Sequence, residues 1–310
     1  MYKLSLNVRI TNSERVNKAW ELDRVVETAR MMQLPIAKDI QATVPNFHIV
    51  LEPAFLTIKV DGEVIDGFSC ILRDAHPFND QNRDITSITS LVQDNPSGGL
   101  NRLGNIVHAL ANKENRPIDA VARDWFERYI NVSIESLMKL FIDWGLCFEP
   151  HGQNILIELD AGYPTNCFCR DGQGFFHREA AHQDWCEVMP GKGESTASIF
   201  PEALACERLI YYPFINQVFS VINAFGTQGL IDEALLMHDL RQRMTALAQQ
   251  PQRYPFTLLD VLKKEERLPC KGNLLTQLYN MDELVGDIAT QSVYVTIPNS
   301  YLKAQAINAN

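Results

Sequence analysis

Residues 155–171 set the tightest limit on what this chain can fold into. "NILIELD" and "TNCFCRD" are short apolar runs joined by "AGYP", and two such runs read as a β-hairpin. Upstream, Gly145 ends an apolar helical pattern, so the first strand starts near Ile155 and a loop lies between. That loop packs Glu149, His151, Gln153 and Asn154 into six residues, more polar chemistry than strand packing needs. Asp171 follows the second strand, before Gly172 and Gly174. The open ends of a tight hairpin sit side by side, which brings Asn154 and Asp171 together. Carboxylate and amide oxygens are hard ligands suited to Mg²⁺, an ion that also keeps waters and phosphate oxygens.

The surrounding pattern is mixed. "KLSLNVRI" reads as a strand and "ELDRVVETARMM" as a helix. Residues 47–74 read as strands with Asp61-Gly62 as a hairpin turn, and 76–99, with "DNPSGG", as a loop region. Two amphipathic segments fill 118–145, with a break at Asn131-Val132-Ser133 and Ser133 as cap of the second helix. Beyond about residue 200 the chain is mainly helical. The expected class is α+β, a sheet-containing part followed by a helical one.

Composition narrows the function. Among 310 residues, 28 Lys and Arg stand against 38 Asp and Glu, a net charge of −10. An acidic chain lacks the basic footprint of general nucleic-acid binding, though a few local arginines still suffice for an anionic ligand. The N-terminus shows no signal-peptide pattern and no apolar run reaches membrane-span length, so neither export nor a membrane is expected. Seven cysteines without CxxC pairs fit reduced thiols in a cytoplasmic protein. Cys167 and Cys169 share one strand face and read as core thiols rather than a redox pair. His177, His182 and Cys186 have tempting spacings, but one cysteine without a CxxC pair is a poor match to structural zinc. The aromatic run "ERLIYYPF" reads as core or interface.

The order His, Asn-Ile-Leu, hairpin, Asp-x-Gly looks like the catalytic loop and metal-binding Asp of protein-kinase-like and aminoglycoside-kinase-like folds. Such kinases place an Asp base soon after the His, whereas Gly152, Gln153 and Asn154 stand here, and no GxGxxG lies upstream. "EPHGQN" with "RDGQG", His151 and Asp171 being twenty residues apart, more closely resembles the C-terminal half of siderophore synthetases that work without nonribosomal peptide synthetases, the aerobactin-synthetase-like family. "KLSLNVRITNSER", "FSCILRD" and "LPCKGNLLTQL" resemble further segments of that family, in its order.

The resemblance implies a palm-like ATP-binding part over 1–195 and a thumb-like helical part over 196–310. It implies ATP-dependent adenylation of a carboxylic acid, citrate or a derivative, and condensation with an amine or hydroxylamine. Ser13, Arg15, Arg73, His151, Gln153 and Asn154 match nucleotide-contacting positions, with Arg15, Arg73 and His151 in catalytic roles. Glu149 and Asp171 match the Mg²⁺-binding carboxylates. Val16 stands where the family often has Thr, and the phosphate-contacting lysine falls on Lys18 or Lys38. The family's N-terminal half is absent, and "HPFND" at 76–80 does not replace its motif. A fragment, a split-gene product paired with a partner chain, and a degenerate copy stay open, as do a homodimer, a kinase-like phosphotransferase and a non-catalytic ATP-binding subunit. A ferric-reductase-like reading of the C-terminal region needs an iron–sulfur cysteine set, which the sequence does not display.

Overall fold

The computed structural model describes residues 1–10, 13–281 and 293–303. Thr11 and Asn12, within the expected turn, and residues 282–292 and 304–310 of the expected helical part lie outside the described residues. The chain begins with β1 (Tyr2–Leu4), β2 (Leu6–Ile10), β3 (Ser13–Arg15), α1 (Ala19–Met31) and α2 (Ala37–Thr43). Next come β4 (Phe47–Ile49), β5 (Ala54–Leu56), β6 (Lys59–Val60), β7 (Glu63–Val64), β8 (Cys70–Leu72), β9 (Asp84–Ser87) and α3 (Ile88–Val92). Then follow α4 (Arg102–Glu114), α5 (Ile118–Ile130) and α6 (Ser136–Trp144). Beyond them lie β10 (Leu146–Cys147), β11 (Ile155–Asp160), β12 (Tyr163–Cys169), β13 (Phe176–Arg178), α7 (His182–Val188) and β14 (Ile199–Phe200). Among the described residues the remainder is mainly helical from α8 (Glu202–Leu209) onward, with β15 (Arg267–Lys271) paired to β16 (Tyr294–Pro298). Among the described residues no helix is long and apolar enough to cross a membrane.

The expected hairpin is the centre of a four-stranded sheet ordered β4-β12-β11-β9. Its turn is Ala161-Gly162, both at positive φ (48° and 92°), the geometry that lets two residues join twisted strands. Asp61 and Gly62 do the same between β6 and β7, at φ 51° and 88°. One face of β11 and β12 carries Ile155, Ile157, Cys167 and Cys169 into a core that includes Trp125, Phe126 and Tyr129 of α5. Both thiols are fully buried, and burial pushes each well above its ordinary pKa.

In the N-terminal sheet, ordered β1-β8-β5, alternation sorts side chains onto two faces. Lys3, Ile71 and Phe55 are register partners, and Ile71 and Phe55 pack with Leu22 and Val25 of α1. The register rows Tyr2–Leu72–Ala54 and Leu4–Cys70–Leu56 fall on the opposite face. There Tyr2, Leu4 and Leu56 are 77%, 69% and 63% exposed.

Two local expectations need correction. Residues 76–99 are not all loop, because 84–87 forms β9 at the sheet edge against β11. Its polar sequence hid a strand that has only one neighbour to satisfy. No break occurs at 131–133: α5 runs into α6 through a π-helical stretch, Asn131–Glu135. Ser133 is therefore no cap. It is buried and its Oγ accepts a bond from Gln217 Nε2 at 2.6 Å. The aromatic run forms a second π-helical stretch, Ile210–Val218, around Pro213, which lacks the N–H an α-helical ladder needs.

Gly145 does end α6, at φ 62°, with its N–H bonded to the Leu140 and Phe141 carbonyls. A Cβ there would lie 2.4 Å from Ala181 Cβ. Gly145→Ala thus meets both a left-handed penalty of about 1–2 kcal/mol and a clash. The expected loss exceeds about 2 kcal/mol by urea unfolding, and a loss under half of that would show that the 145–149 entry to the loop tolerates rearrangement.

Candidate functional site

The 149–154 loop is held by its own backbone. His151 N–H donates to the Glu149 carbonyl at 2.9 Å, and Asn154 N–H to the His151 carbonyl at 2.8 Å. Gly152 N–H donates to Asn216 Oδ1 at 3.0 Å, anchoring the loop to the second π-helical stretch. Across the hairpin's open end, Arg170 N–H donates to the Asn154 carbonyl at 3.0 Å, so Asn154 and Asp171 do flank one opening. The Asn154 amide is partly spent on structure, its Nδ2 donating to the Glu149 carbonyl at 3.2 Å. Gln153 is exposed, and its carbonyl receives Arg170 Nε at 3.1 Å.

Asp171 is where the charges converge. It sits in the left-handed region (φ 79°, ψ 78°) at the start of the Gly172–Gly174 turn. Lys3 donates to its carboxylate and to Gln173 Oε1. An Arg73 nitrogen lies 3.9 Å away. Burial opposes ionisation of Asp171, but Lys3, Arg73 and His151 together hold its carboxyl below the ordinary range. Arg73 is aimed by Glu52, whose buried Oε1 accepts its Nε at 2.7 Å, while Glu52 Oε2 accepts Gly172 N–H at 2.8 Å. Helix α1 lies on the same turn: Arg24 Nη1 donates to the Gln173 carbonyl at 3.0 Å.

A second set of side chains arrives from the C-terminal part. Tyr212 Oη donates to Glu149 Oε1 at 3.1 Å, and its ring lies 5.8 Å from that of His151. Buried Arg208 donates to Tyr294 Oη at 2.8 Å, and the Lys271 ammonium lies 6.0 Å from the Tyr212 ring centre. Burial is the main force pushing His151 below its ordinary value. Lys271 and Arg170 add to it, and Glu149 and Asp171 oppose it. The surroundings thus favour the ionised form of the Asp171 carboxyl and the uncharged form of the His151 imidazole.

Of the residues expected from sequence, Glu149, His151, Asn154 and Asp171 come together with Arg73, and Gln153 stands at the rim. Ser13 is buried in the β2–β3 hairpin, and Arg15 is exposed, donating to the Ile10 carbonyl at 2.9 Å. Among the described hydrogen bonds none joins either residue to the cluster. Lys18 is bound to Asp66 at 2.9 Å and Lys38 is exposed on α2, so the lysine at Asp171 is Lys3. Sequence reasoning passed over Lys3, Glu52, Arg208, Tyr212 and Lys271. Lys3 and Lys271 lay inside the quoted "KLSL" and "LPCKGN" stretches. An arginine in the aromatic run "ERLIYYPF" was the available signal for Arg208 and Tyr212. The cluster is separate from a surface cavity of about 490 Å³ lined by Gln93, Asp94, Arg102 and Asn105.

Comparison with known proteins shows what the chain is similar to. The model of the IucA/IucC family matches residues 1–93, and that of the ferric iron reductase FhuF-like transporters matches 123–286. The rhizobactin siderophore biosynthesis protein RhbC of Rhizobium meliloti is 39% identical over the whole chain. The spermidine-citrate ligase of Bacillus anthracis is 35% identical over the whole chain. The ATP-bound aerobactin synthetase IucA of Klebsiella pneumoniae superposes on 97% of the chain with a TM-score of 0.86 and 26% identity. The chain belongs to the IucA/IucC family. It spans about half the length of these relatives: 53% and 51% of the two curated proteins and 52% of the solved chain. The FhuF-like match covers a part that the synthetase relatives share along their aligned length. In this IucA/IucC-family chain the seven cysteines are free. The one group of three or more metal-ligating side chains that converges among the described residues contains a single cysteine.

A carboxylate beside the cluster makes it pH-sensitive. Glu21, buried at the start of α1, is pushed from 4.5 up to about 7, chiefly by burial, although its carboxylate accepts Lys18 N–H at 2.8 Å. The folded state prefers neutral Glu21. Its contribution to stability is therefore fully present below 4.5 and is lost as pH rises through about 7. Glutamine keeps the cap without the charge. The advantage of Glu21→Gln over the natural protein should grow by about 2 kcal/mol between pH 5 and pH 8, read by urea unfolding. An advantage independent of pH would mean that Glu21 is ionised in the fold across this range.

Proposed function

We propose that the cluster binds ATP and Mg²⁺ and activates a carboxylic acid for condensation with an amine or hydroxylamine, the acid being citrate or a derivative. The observation that carries this reading is the convergence of Lys3 and Arg73 on Asp171, beside His151 and Glu149, in a family with an ATP-bound relative. The Asp171 and Glu149 side chains offer the hard oxygens that Mg²⁺ takes, and the ion would neutralise charge on the phosphates. Lys3, Arg73 and Arg170 supply the cations for the polyphosphate. Ser13, Arg15, Gln153 and Asn154 complete the nucleotide-binding set on the family's pattern. An oxygen of the acid attacks the α-phosphorus and pyrophosphate leaves. The amine nitrogen then attacks the acyl carbon, AMP leaves, and the nitrogen gives up a proton. Neutral His151 is suited to accept that proton, and Arg208 and Lys271 to hold the acid's other carboxylates. In this reading 1–195 is the palm-like part, and 196–310 the thumb-like part that closes on it.

Two carboxylates of one hairpin separate the metal role from general charge. Asp171 is at the open end, and Asp160 is exposed at the turn. Asp171→Asn should weaken Mg-ATP binding by more than about tenfold in titration calorimetry, a cost of about 1.4 kcal/mol, and Asp160→Asn by less than about twofold. Equal effects would remove Asp171 from the metal site.

The partner we propose is the other half of the relatives' length. It would seat on the open face of the β1-β8-β5 sheet, where Tyr2, Leu4 and Leu56 lie exposed with Ile58, Val60 and Phe68 nearby in the chain. Alone, the chain should turn over citrate-type acids with hydroxylamine poorly, because loose positioning of the acid costs orders of magnitude in rate. Supplying the family's N-terminal half, fused or as a separate chain, should restore turnover with AMP and pyrophosphate as products. Leu4→Arg with Leu56→Arg should block that restoration while ATP binding stays unchanged. Release of ADP would instead indicate a phosphotransferase, and full turnover by the chain alone would show that the acid-binding groups need no second half.

A further inference from the structure

Two side chains of one helical stretch hold the 149–154 loop from the C-terminal part. Tyr212 Oη donates to Glu149 Oε1 at 3.1 Å, and Asn216 Oδ1 accepts Gly152 N–H at 3.0 Å. Four residues ahead of Tyr212 stands Arg208, which donates to Tyr294 Oη at 2.8 Å. Arg208, Tyr212 and Asn216 are thus each about one helical turn from the next. The second π-helical stretch, Ile210–Val218, carries the last two, and such stretches are frequent at functional sites. Its other side is pinned in the core. Gln217, fully buried, donates from Nε2 to Tyr129 Oη at 3.0 Å and to Ser133 Oγ at 2.6 Å.

The bond to Asn216 fixes one particular peptide unit, the one that joins His151 to Gly152. The carbonyl of that unit accepts Asn154 N–H at 2.8 Å and Ile155 N–H at 3.2 Å. The following unit is held by α3, because the Gly152 carbonyl accepts Thr89 N–H at 3.1 Å. Gly152 is buried, and a Cβ on it would stand 2.8 Å from Thr89 Oγ1, so the loop lies directly against α3. A buried N–H needs an acceptor, and of the two polar atoms of the Asn216 amide only the oxygen can accept. Among the described hydrogen bonds Asn216 meets the loop at this backbone N–H alone. It therefore acts on the His151 ring through the backbone that carries it.

We propose that Asn216 is the positioning residue of the His151 loop, and that through it the π-helical stretch couples the acid to the nucleotide, each tightening the other's binding. This coupling rests on the reading of the cluster as an ATP and carboxylic-acid site. A carboxylate held by Arg208 restrains the start of the stretch. Asn216, two turns on, restrains the peptide beside His151. Whichever ligand binds first orders the stretch and the loop, so the second meets less of that entropy cost. Linkage makes the effect reciprocal.

The test is titration calorimetry of the full chain with α,β-methylene-ATP, which cannot release pyrophosphate, at fixed free Mg²⁺ with and without saturating citrate. Citrate should tighten the nucleotide at least about fivefold, and the nucleotide should tighten citrate by the same factor. Asn216→Leu, close in size but without an acceptor, should bring that factor below about twofold. Asn216→Asp, which keeps an oxygen in the same place, should restore it. The factor compares each variant with itself, so a general effect of the added charge on either ligand drops out. A role in stability alone would lower the urea midpoint and leave the factor as it was. In the unsubstituted chain, citrate without nucleotide should slow amide hydrogen exchange over 149–154, a measurement that needs no variant to fold. An unchanged factor in Asn216→Leu overturns the proposal. So does citrate that binds the unsubstituted chain without tightening the nucleotide or without slowing exchange over 149–154. Failure of either ligand to bind the unsubstituted chain would instead remove the reading of the cluster itself, and the coupling with it.

Discussion

The site depends on one buried carboxylate. Glu52 has no exposed side-chain surface, and an isolated charge in such surroundings costs several kcal/mol unless paired and hydrogen-bonded. It is satisfied from two directions, by Arg73 behind β8 and by the Gly172 amide in the turn after β12. These partners are 99 residues apart in sequence, so one side chain fixes the N-terminal sheet against the central hairpin. Gly172 has little room to be anything else, because an added Cβ would meet Glu52 Oε2 at 3.0 Å and the α1 backbone at 3.3 Å. With that joint made, Asp171 is presented outward while Arg73 faces it.

The N-terminal sheet serves two purposes through strand alternation alone. Lys3 lies on the face that packs on α1 and reaches the carboxylate, while its neighbours Tyr2 and Leu4 lie on the open face. A one-residue slip of β1 would exchange these faces, removing the lysine from the cluster and setting it on the open apolar face. The same register therefore secures both the charge at the site and the apolar face beyond it.

Much of the fold was legible because local chemistry declares it. Two dipeptides at positive φ marked their hairpins, Gly145 marked a helix end, and the polar loop with Asp171 marked the candidate site. The failures share a cause. β9 is a polar edge strand, and only its pairing with β11 makes it a strand. The continuous path through Ser133 is stabilised by Gln217, 84 residues away, and no nearby pattern announces that partner. Lys3, Arg208 and Lys271 reach the cluster from distant parts of the chain. Long-range convergence leaves no periodic trace: Lys3 and Lys271 lay inside stretches that carried the family resemblance, yet neither residue was singled out. The Ser13 and Arg15 assignment rests on that resemblance.

Asp171 holds a backbone shape that glycine adopts freely and that asparagine tolerates as well as aspartate does. As a matter of conformation alone, aspartate is a poor choice there, and its charge has to be compensated by neighbouring cations. A pool of random variants sorted only for thermal robustness would thus be free to drift toward glycine or asparagine at this position. On the metal-binding role proposed for Asp171, sorting for ligand capture would pull it back to aspartate. The two selections diverge at a single residue, and the extent of that divergence measures how far the turn is shaped for its cargo rather than for the endurance of the fold.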